Sequence, residues 1–310
     1  MKKLLPIIIL TILTLSLYGC SAKDAPPKNQ TGITVYTSIY PLYDFASKIG
    51  QDKVHIYLMT PPGAEPHDWE PSARLMAQME NADILIYNGL DMELWIEKAI
   101  ASINNPNLTI VNASNNAKLL KLVKDNHEDG RNPVHGNYDP HIWLNPINAI
   151  VQAENIKNAL VEVDSGHKDF YENNFDELKS RLEDLDERYS TTLSQLSKKD
   201  IVVSHAAFGY LANRYGLNQY PISGLSPQAE PTPSQMAALS DFIKENNIEY
   251  IFFESLSNPK LANVIAKETG TNISILNPLG GLTQEEIDLG EDYFSIMEKN
   301  LVSIKNALGE

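Results

Sequence analysis

Seven histidines occur along the 310 residues of the chain, and three of them share a setting that suits metal capture. His67 sits in the proline-bounded loop PPGAEPHDWEPS, after an apolar run ending near Met59 and ahead of a helical pattern. His141 sits in DPHIWLNP, again ahead of a helical segment, and His205 directly follows IVVS and opens AAFGYLANRY. All three fall at the carboxyl ends of predicted strands or in the loops after them, where open α/β sheets place their ligands. Imidazole nitrogen suits Zn2+, Cu2+, Ni2+ and Fe2+, and three imidazoles with one further oxygen donor make a tetrahedral Zn2+ site. The donors must be neutral, so such a site loses metal as pH falls through the imidazole range near 6.5.

A lone histidine is more often structural than a ligand; the weight lies in three at equivalent positions. Asp68 and Asp139 stand where they could orient imidazoles as hydrogen-bond acceptors. Glu65, two residues before His67, and Glu254, at the end of a predicted strand, are the candidates for a fourth ligand or for outer support. His127 and His135 lie in the aperiodic stretch KLVKDNHEDGRNPVHGNY, residues 121–138, which reads as a loop. His55 and His167 have no supporting context and read as surface residues.

The elements that must position these side chains alternate between β-rich and helical patterns. Strands are expected at 33–37, 54–59, 83–87 and 108–111, with helices including 72–80, capped by Ser72, and 92–103. A second series has strands at 201–204, 250–253 and 273–276, with helices at 206–215, 234–246 and 293–308. Alternation of this kind implies parallel sheets covered on both faces, and two series imply two α/β lobes. Between them Phe170, Phe175, Leu178, Leu182, Leu185, Tyr189, Leu193 and Leu196 form one apolar stripe on a single helix, about 43 Å long if it runs from 168 to 196. No internal repeat and no glycine-rich phosphate loop stand out.

The N-terminus fixes the expected compartment. Lys2 and Lys3 precede an apolar run over residues 4–17, and Leu-Tyr-Gly-Cys ends at Cys20, the only cysteine. That order reads as a secretory signal, too short for a membrane span of about 20 residues, and its ending resembles a bacterial lipobox. Residues 1–19 would be removed as a signal peptide, leaving 310 − 19 = 291 residues with lipid on Cys20 and a polar, proline-bearing tether over 20–31. The formal charge of −15 becomes about −17 without the two lysines, which argues against nucleic-acid binding and leaves membrane attachment to the lipid.

TSIYPLYDFASKIG, PPGAEPHDWEPS, NADILIYNGLDMELW, DPHIWLNP, VSHAAFGYLANRYGL, AEPTPSQM and FFESLSNPKLA, spread over nearly the whole mature chain, together carry a resemblance. The chain resembles the metal-type solute-binding lipoproteins of ABC importers, the group of the zinc receptors ZnuA and AdcA and of manganese-binding, adhesin-like relatives. The resemblance implies two α/β lobes with parallel sheets joined by one long helix, and a metal site between the lobes: a first lobe over 32–166, a linking helix over 167–198 and a second lobe over 199–310. It implies high-affinity extracytoplasmic capture of a divalent metal and delivery to a membrane ABC permease by a monomeric, lipid-anchored receptor that is not an enzyme. His67 and His141 match ligands of the first lobe and His205 the first ligand of the second. A histidine at 205, where manganese-preferring relatives often carry a carboxylate, favours Zn2+ over Mn2+. One departure stands out: in Leu276-Asn277-Pro278-Leu279-Gly280-Gly281-Leu282, Gly280 occupies the place where the family commonly supplies a carboxylate ligand.

A manganese-type receptor and a surface adhesin are the alternatives within the same group. A zinc hydrolase is weaker, since the chain has no His-Glu-x-x-His segment and no serine or cysteine nucleophile motif.

Overall fold

In the computed structural model, residues 32–122, 137–225, 227, 231–256 and 260–309 are described. The signal segment, Cys20, the tether, His127 and His135 lie outside them.

Two four-stranded parallel sheets form the frame. The first holds β1 (Ile33–Thr37), β2 (Val54–Leu58), β3 (Ile84–Tyr87) and β4 (Thr109–Asn112) in the order β2-β1-β3-β4. The second holds β5 (Asp200–Val203), β6 (Asn218–Pro221), β7 (Tyr250–Phe253) and β8 (Asn272–Ile275) in the order β6-β5-β7-β8. The central strands are apolar on both faces, as in Ile84, Leu85 and Ile86, all fully buried, because helices cover both sides of a parallel sheet. The same strand order thus appears twice, although no sequence repeat reveals it. Sequence reading missed β6: its residues, NQYP, carry neither alternation nor a β-branched side chain and pair only with β5 at the sheet edge.

Helices α1 (Tyr40–Gly50), α2 (Ala73–Met79) and α3 (Ile96–Ser102) serve the first sheet. Ser72 caps α2, its hydroxyl accepting from Leu75 N at 3.3 Å, as expected. Helix α3 is shorter than the 92–103 expected and begins at Ile96, after a turn in which Leu90 and Asp91 take left-handed φ values of 60° and 59°. Helix α4 (Pro146–Val163) leads to the long helix α5 (Lys168–Ser194), 27 residues or about 40 Å, which packs along α4 and α1. The expected stripe is buried from Phe175 to Leu193, but its first member is Tyr171 rather than Phe170. Tyr171 stands one helical turn before Phe175 and its hydroxyl donates to Asp164 Oδ2 at 2.8 Å.

The second sheet carries α6 (Gly209–Tyr215), α7 (Pro233–Glu245) and α8 (Lys260–Thr269), followed by α9 (Gln284–Asp288) and α10 (Tyr293–Leu308). Helix α6 starts later than the expected 206; ahead of it the Phe208 N–H donates to Gln219 Oε1 at 2.6 Å and the Ala206 N–H to Gly224 O at 2.9 Å.

Hydrogen bonds between the lobes cluster around residues 276–282. Tyr40 N donates to Gly280 O (3.2 Å), Gly63 N to Leu282 O (2.9 Å) and Trp143 Nε1 to Pro278 O (2.7 Å). Tyr293, on α10, donates through its hydroxyl to Trp143 O at 2.6 Å and stacks edge-on against Phe45 at 4.9 Å.

Candidate metal centre

His205 owes its position to the pairing of β5 with β7, which sets Val203 beside Phe252. That register brings Glu254, the residue after β7, against His205, the second residue after β5. Glu254 Oε1 accepts from both the backbone N (3.2 Å) and the ring Nδ1 (2.6 Å) of His205.

His141 is held in the same way from the first lobe. Asp139 Oδ1 accepts from its backbone N (2.9 Å) and its Nδ1 (2.8 Å). The strut beneath is polar and buried: Gln152 Nε2 donates to Asn88 Oδ1, and Asn88 Nδ2 donates to Pro140 O, each at 2.9 Å. From the second lobe, the Tyr210 hydroxyl donates to Asp139 O at 2.9 Å and accepts from Leu120 N at 3.0 Å. The outer support expected of Asp68 and Asp139 therefore falls to Asp139, while the backbone N–H of Asp68 turns back to Glu65 O at 3.2 Å.

His67 comes in on the loop between β2 and α2. Its Nε2 stands 3.0 Å from His141 Nε2, and His205 Nε2 stands 3.4 Å from the same atom. Candidate ligand atoms of the three residues all lie within 4.8 Å of one another. With carboxylates holding the Nδ1–H of His141 and His205, their two Nε2 atoms present lone pairs toward each other and toward His67 Nε2, and they repel unless a proton or a cation stands among them.

The surroundings favour a cation. His141 and His205 are 2% and 1% exposed, as are their carboxylate partners Asp139 and Glu254 at 5% and 1%. Burial pushes the Asp139 carboxyl up to about 7, against the pull of the His141 backbone N–H. Burial also pushes Glu65 up to about 7, with His205 pulling it down and Glu254 pushing it further up. Burial works to lower His205, yet Glu254, by charge and hydrogen bond, raises it above its ordinary value. A divalent ion at the three Nε2 atoms would supply the positive charge this acidic, desolvated cluster lacks.

The three histidines enclose a cavity of about 10 Å³, walled by Met92, Trp143 and Leu256 and reached by Glu65 and Gly280. That volume admits one water-sized body. Sequence reading had not singled out Trp143 or Tyr210. Trp143 lies two residues beyond His141 in the quoted motif, whereas nothing in the sequence signals that Tyr210 reaches across the lobes. Among the other histidines, His167 is exposed with Nδ1 on Asp164 Oδ2 at 2.6 Å, and His55 on β2 is half-buried.

Residues 35–307 match the family profile described as ZnuA, zinc-uptake complex component A periplasmic. The chain belongs to the ZnuA family. The high-affinity zinc uptake system protein ZnuA of Bacillus subtilis is 38% identical over 291 residues, covering 93% of this chain and 91% of the relative. The zinc-binding lipoprotein AdcA of Streptococcus pneumoniae is 37% identical over 98% of this chain, which spans 61% of that longer protein. The crystal structure of the Zn(II)-bound ZnuA-like domain of the same AdcA superposes with a TM-score of 0.77 at 36% identity, covering 90% of this chain and all of that domain. The ZnuA family is one of solute-binding receptors, and the expected two-lobed α/β fold is the fold observed.

Proposed function

We propose that the chain captures Zn2+ outside the cytoplasm and delivers it to a membrane ABC permease, with His67, His141 and His205 as ligands. The convergence of three Nε2 atoms on a cavity with room for a single ion at the junction of the lobes carries this reading. Three imidazoles favour Zn2+ over the harder Mn2+, for which oxygen donors would be expected. Glu254 and Asp139, each on the far ring nitrogen of a histidine, act as orienting acceptors and raise the basicity of the ligating nitrogens. A cavity of about 10 Å³ has no room for an organic substrate, which supports a receptor rather than a hydrolase.

The reading extends to the organisation of the chain. Residues 1–19 are a signal peptide and 20–31 a tether lipidated on Cys20. Residues 32–166 are the first metal-binding lobe, 167–198 the linking helix and 199–310 the second lobe of a monomeric receptor held at the outer face of the cell membrane. The test is chelator-competition titration of metal-stripped protein lacking residues 1–19, against Zn2+, Mn2+, Ni2+ and Cu2+. Tight Zn2+ binding is expected, weakened at least about tenfold by His141→Ala; no Zn2+ binding by the unaltered protein would refute the reading.

A further inference from the structure

The Nε2 atoms stand close to the spacing that a zinc-sized ion needs. Zn–N bonds of about 2.0–2.1 Å put tetrahedral nitrogens roughly 3.3–3.4 Å apart. His141 and His205 present theirs at 3.4 Å, and His67 and His141 at 3.0 Å. The two first-lobe histidines sit on separate loops, one after β2 and one ahead of α4, so their spacing depends on whatever holds those loops in register.

The chain just past β3 is bent at a cost. Gly89, Leu90 and Asp91 take φ values of 82°, 60° and 59° in succession, and left-handed backbone is unfavourable for the two that are not glycine. The bend returns Glu93 to the end of β3, where its Oε1 accepts from Asn88 N at 2.8 Å and its Oε2 from Gly89 N at 3.0 Å. Oε1 also accepts from the hydroxyl of Ser38, the residue after β1. Glu93 is buried and all three donors are neutral, an expensive setting for a carboxylate. A strained bend and a buried acid therefore coincide at one spot.

What this carboxylate holds reaches toward both histidines. Asn88 donates through Nδ2 to the carbonyl of Pro140, at 2.9 Å, immediately before His141. The carbonyl of Ser38 accepts from the Thr60 hydroxyl at 2.8 Å, at the root of the loop that carries His67. We infer that Glu93 is a positioning residue: by joining the loops after β1, β2 and β3 to the His141 segment, it sets the separation of the His67 and His141 nitrogens and with it the size of ion the site prefers. The inference rests on the metal-receptor reading above. Glu93 acts through Asn88 and Ser38 and is not itself a ligand.

The experiment uses the mature chain with Zn2+ and the larger Cd2+ in chelator competition, Co2+ as a visible-absorption probe of donor geometry, and a thermal melt without metal. Glu93→Gln keeps the shape of the side chain but turns an NH2 group toward N–H or O–H donors. It is expected to weaken Zn2+ binding at least about tenfold, to shift the Co2+ d–d bands and to narrow the difference between Zn2+ and Cd2+. Ser38→Ala cuts only the arm toward the His67 loop and is expected to move the same readouts less far. Leu182→Ala, on the linking helix, is expected to lower the melting temperature and move none of them, which separates positioning from stability. Glu93→Gln, or Ser38→Ala where the former does not fold, with unaltered Co2+ bands and an unaltered Zn2+/Cd2+ ratio would overturn the assignment and leave the receptor reading intact. An unaltered chain that binds neither Zn2+ nor Co2+ would overturn both.

Discussion

Replacing Gly209 by alanine should loosen the metal without touching a ligand. Gly209 opens α6 in the second lobe, and a Cβ there would stand 2.5 Å from Asp139 Oδ2 of the first lobe. Ordinary contact needs roughly 3.4 Å or more, so the carboxylate has to retreat by about 1 Å. Its other oxygen holds His141 by Nδ1 at 2.8 Å and by the backbone at 2.9 Å, and a retreat of that size takes both bonds past the range of about 2.7–3.2 Å in which they are strong. Loss of such an orienting acceptor costs about 10- to 100-fold in metal affinity, or about 1.4–2.7 kcal/mol. The added methyl also overpacks a buried junction, at about 1–3 kcal/mol, offset in part by about 1 kcal/mol of helix propensity. Zn2+ competition titration and a thermal melt of the metal-free protein separate the two effects. Gly216→Ala is the control: its φ of 70° costs about 1–2 kcal/mol of stability in a place with nothing within 4 Å, and affinity should not change. A Gly209→Ala protein that folds and binds Zn2+ with unaltered affinity would refute the claim that Asp139 positions His141.

Three further outcomes are expected. The folded pKa values of Asp139 and Glu65, both raised to about 7, and of His205, raised above 6.5, all mean that the metal-free fold gains stability from protonation at low pH. That gain is fully present below the unfolded values and is lost as pH rises through about 7, so the metal-free melting temperature should fall from pH 6 to pH 8 on account of these groups. The Zn2+-induced thermal shift should grow over the same interval, with affinity changing about tenfold per pH unit below 7 for each proton displaced. Tyr210→Phe removes a hydroxyl that serves both Asp139 O and Leu120 N and should cost about 1–3 kcal/mol in urea unfolding. Leu182→Ala, on the buried stripe of the linking helix, should cost about 2–5 kcal/mol in the same measurement and leave Zn2+ affinity unchanged.

The parts of the fold legible in the sequence are those whose burial is written in apolar periodicity. Strand β7 and helix α10 start and stop where their patterns do, and the stripe from Phe175 to Leu193 gave the long helix its buried face. Where the chain obeys long-range hydrogen bonding, the pattern was silent or misleading. Edge strand β6 exists because Asp200 to Val203 offers it a ladder, not because NQYP favours one. Helix α6 begins only at Gly209, after an N-cap, Phe208, whose N–H is satisfied by the distant Gln219 side chain. The site follows the same division. The three histidines were visible from their flanking prolines and strand ends, while Tyr210, which props the His141 loop from the other lobe, has no local signature at all. Gly280 was legible only as a missing carboxylate; the structure adds that it packs against Pro66, close enough that a Cβ there would stand 3.2 Å from the ring.

The repeated strand order explains why the two lobes meet the ion so differently in sequence and so similarly in space. In each sheet the order reverses between the first strand and the third, β1 beside β3 and β5 beside β7, and the crevice at such a reversal is where α/β sheets bind ligands. The residue just past the third strand props a histidine in both cases. In the second lobe it is Glu254, which grips His205 directly. In the first lobe it is Asn88, which holds the carbonyl of Pro140, the residue before His141. A carboxylate suits the direct grip, because it stabilises the Nδ1–H tautomer and leaves Nε2 for the metal. An amide suits the indirect one, because it must donate to a carbonyl and accept from Gln152 at once. Exchanging the two types would leave a buried carboxylate facing a carbonyl oxygen in the first lobe and an imidazole without a charged acceptor in the second. The chemistry at these two positions follows from what each must hold, which is why neither sequence similarity between the lobes nor a shared motif marks them as equivalent.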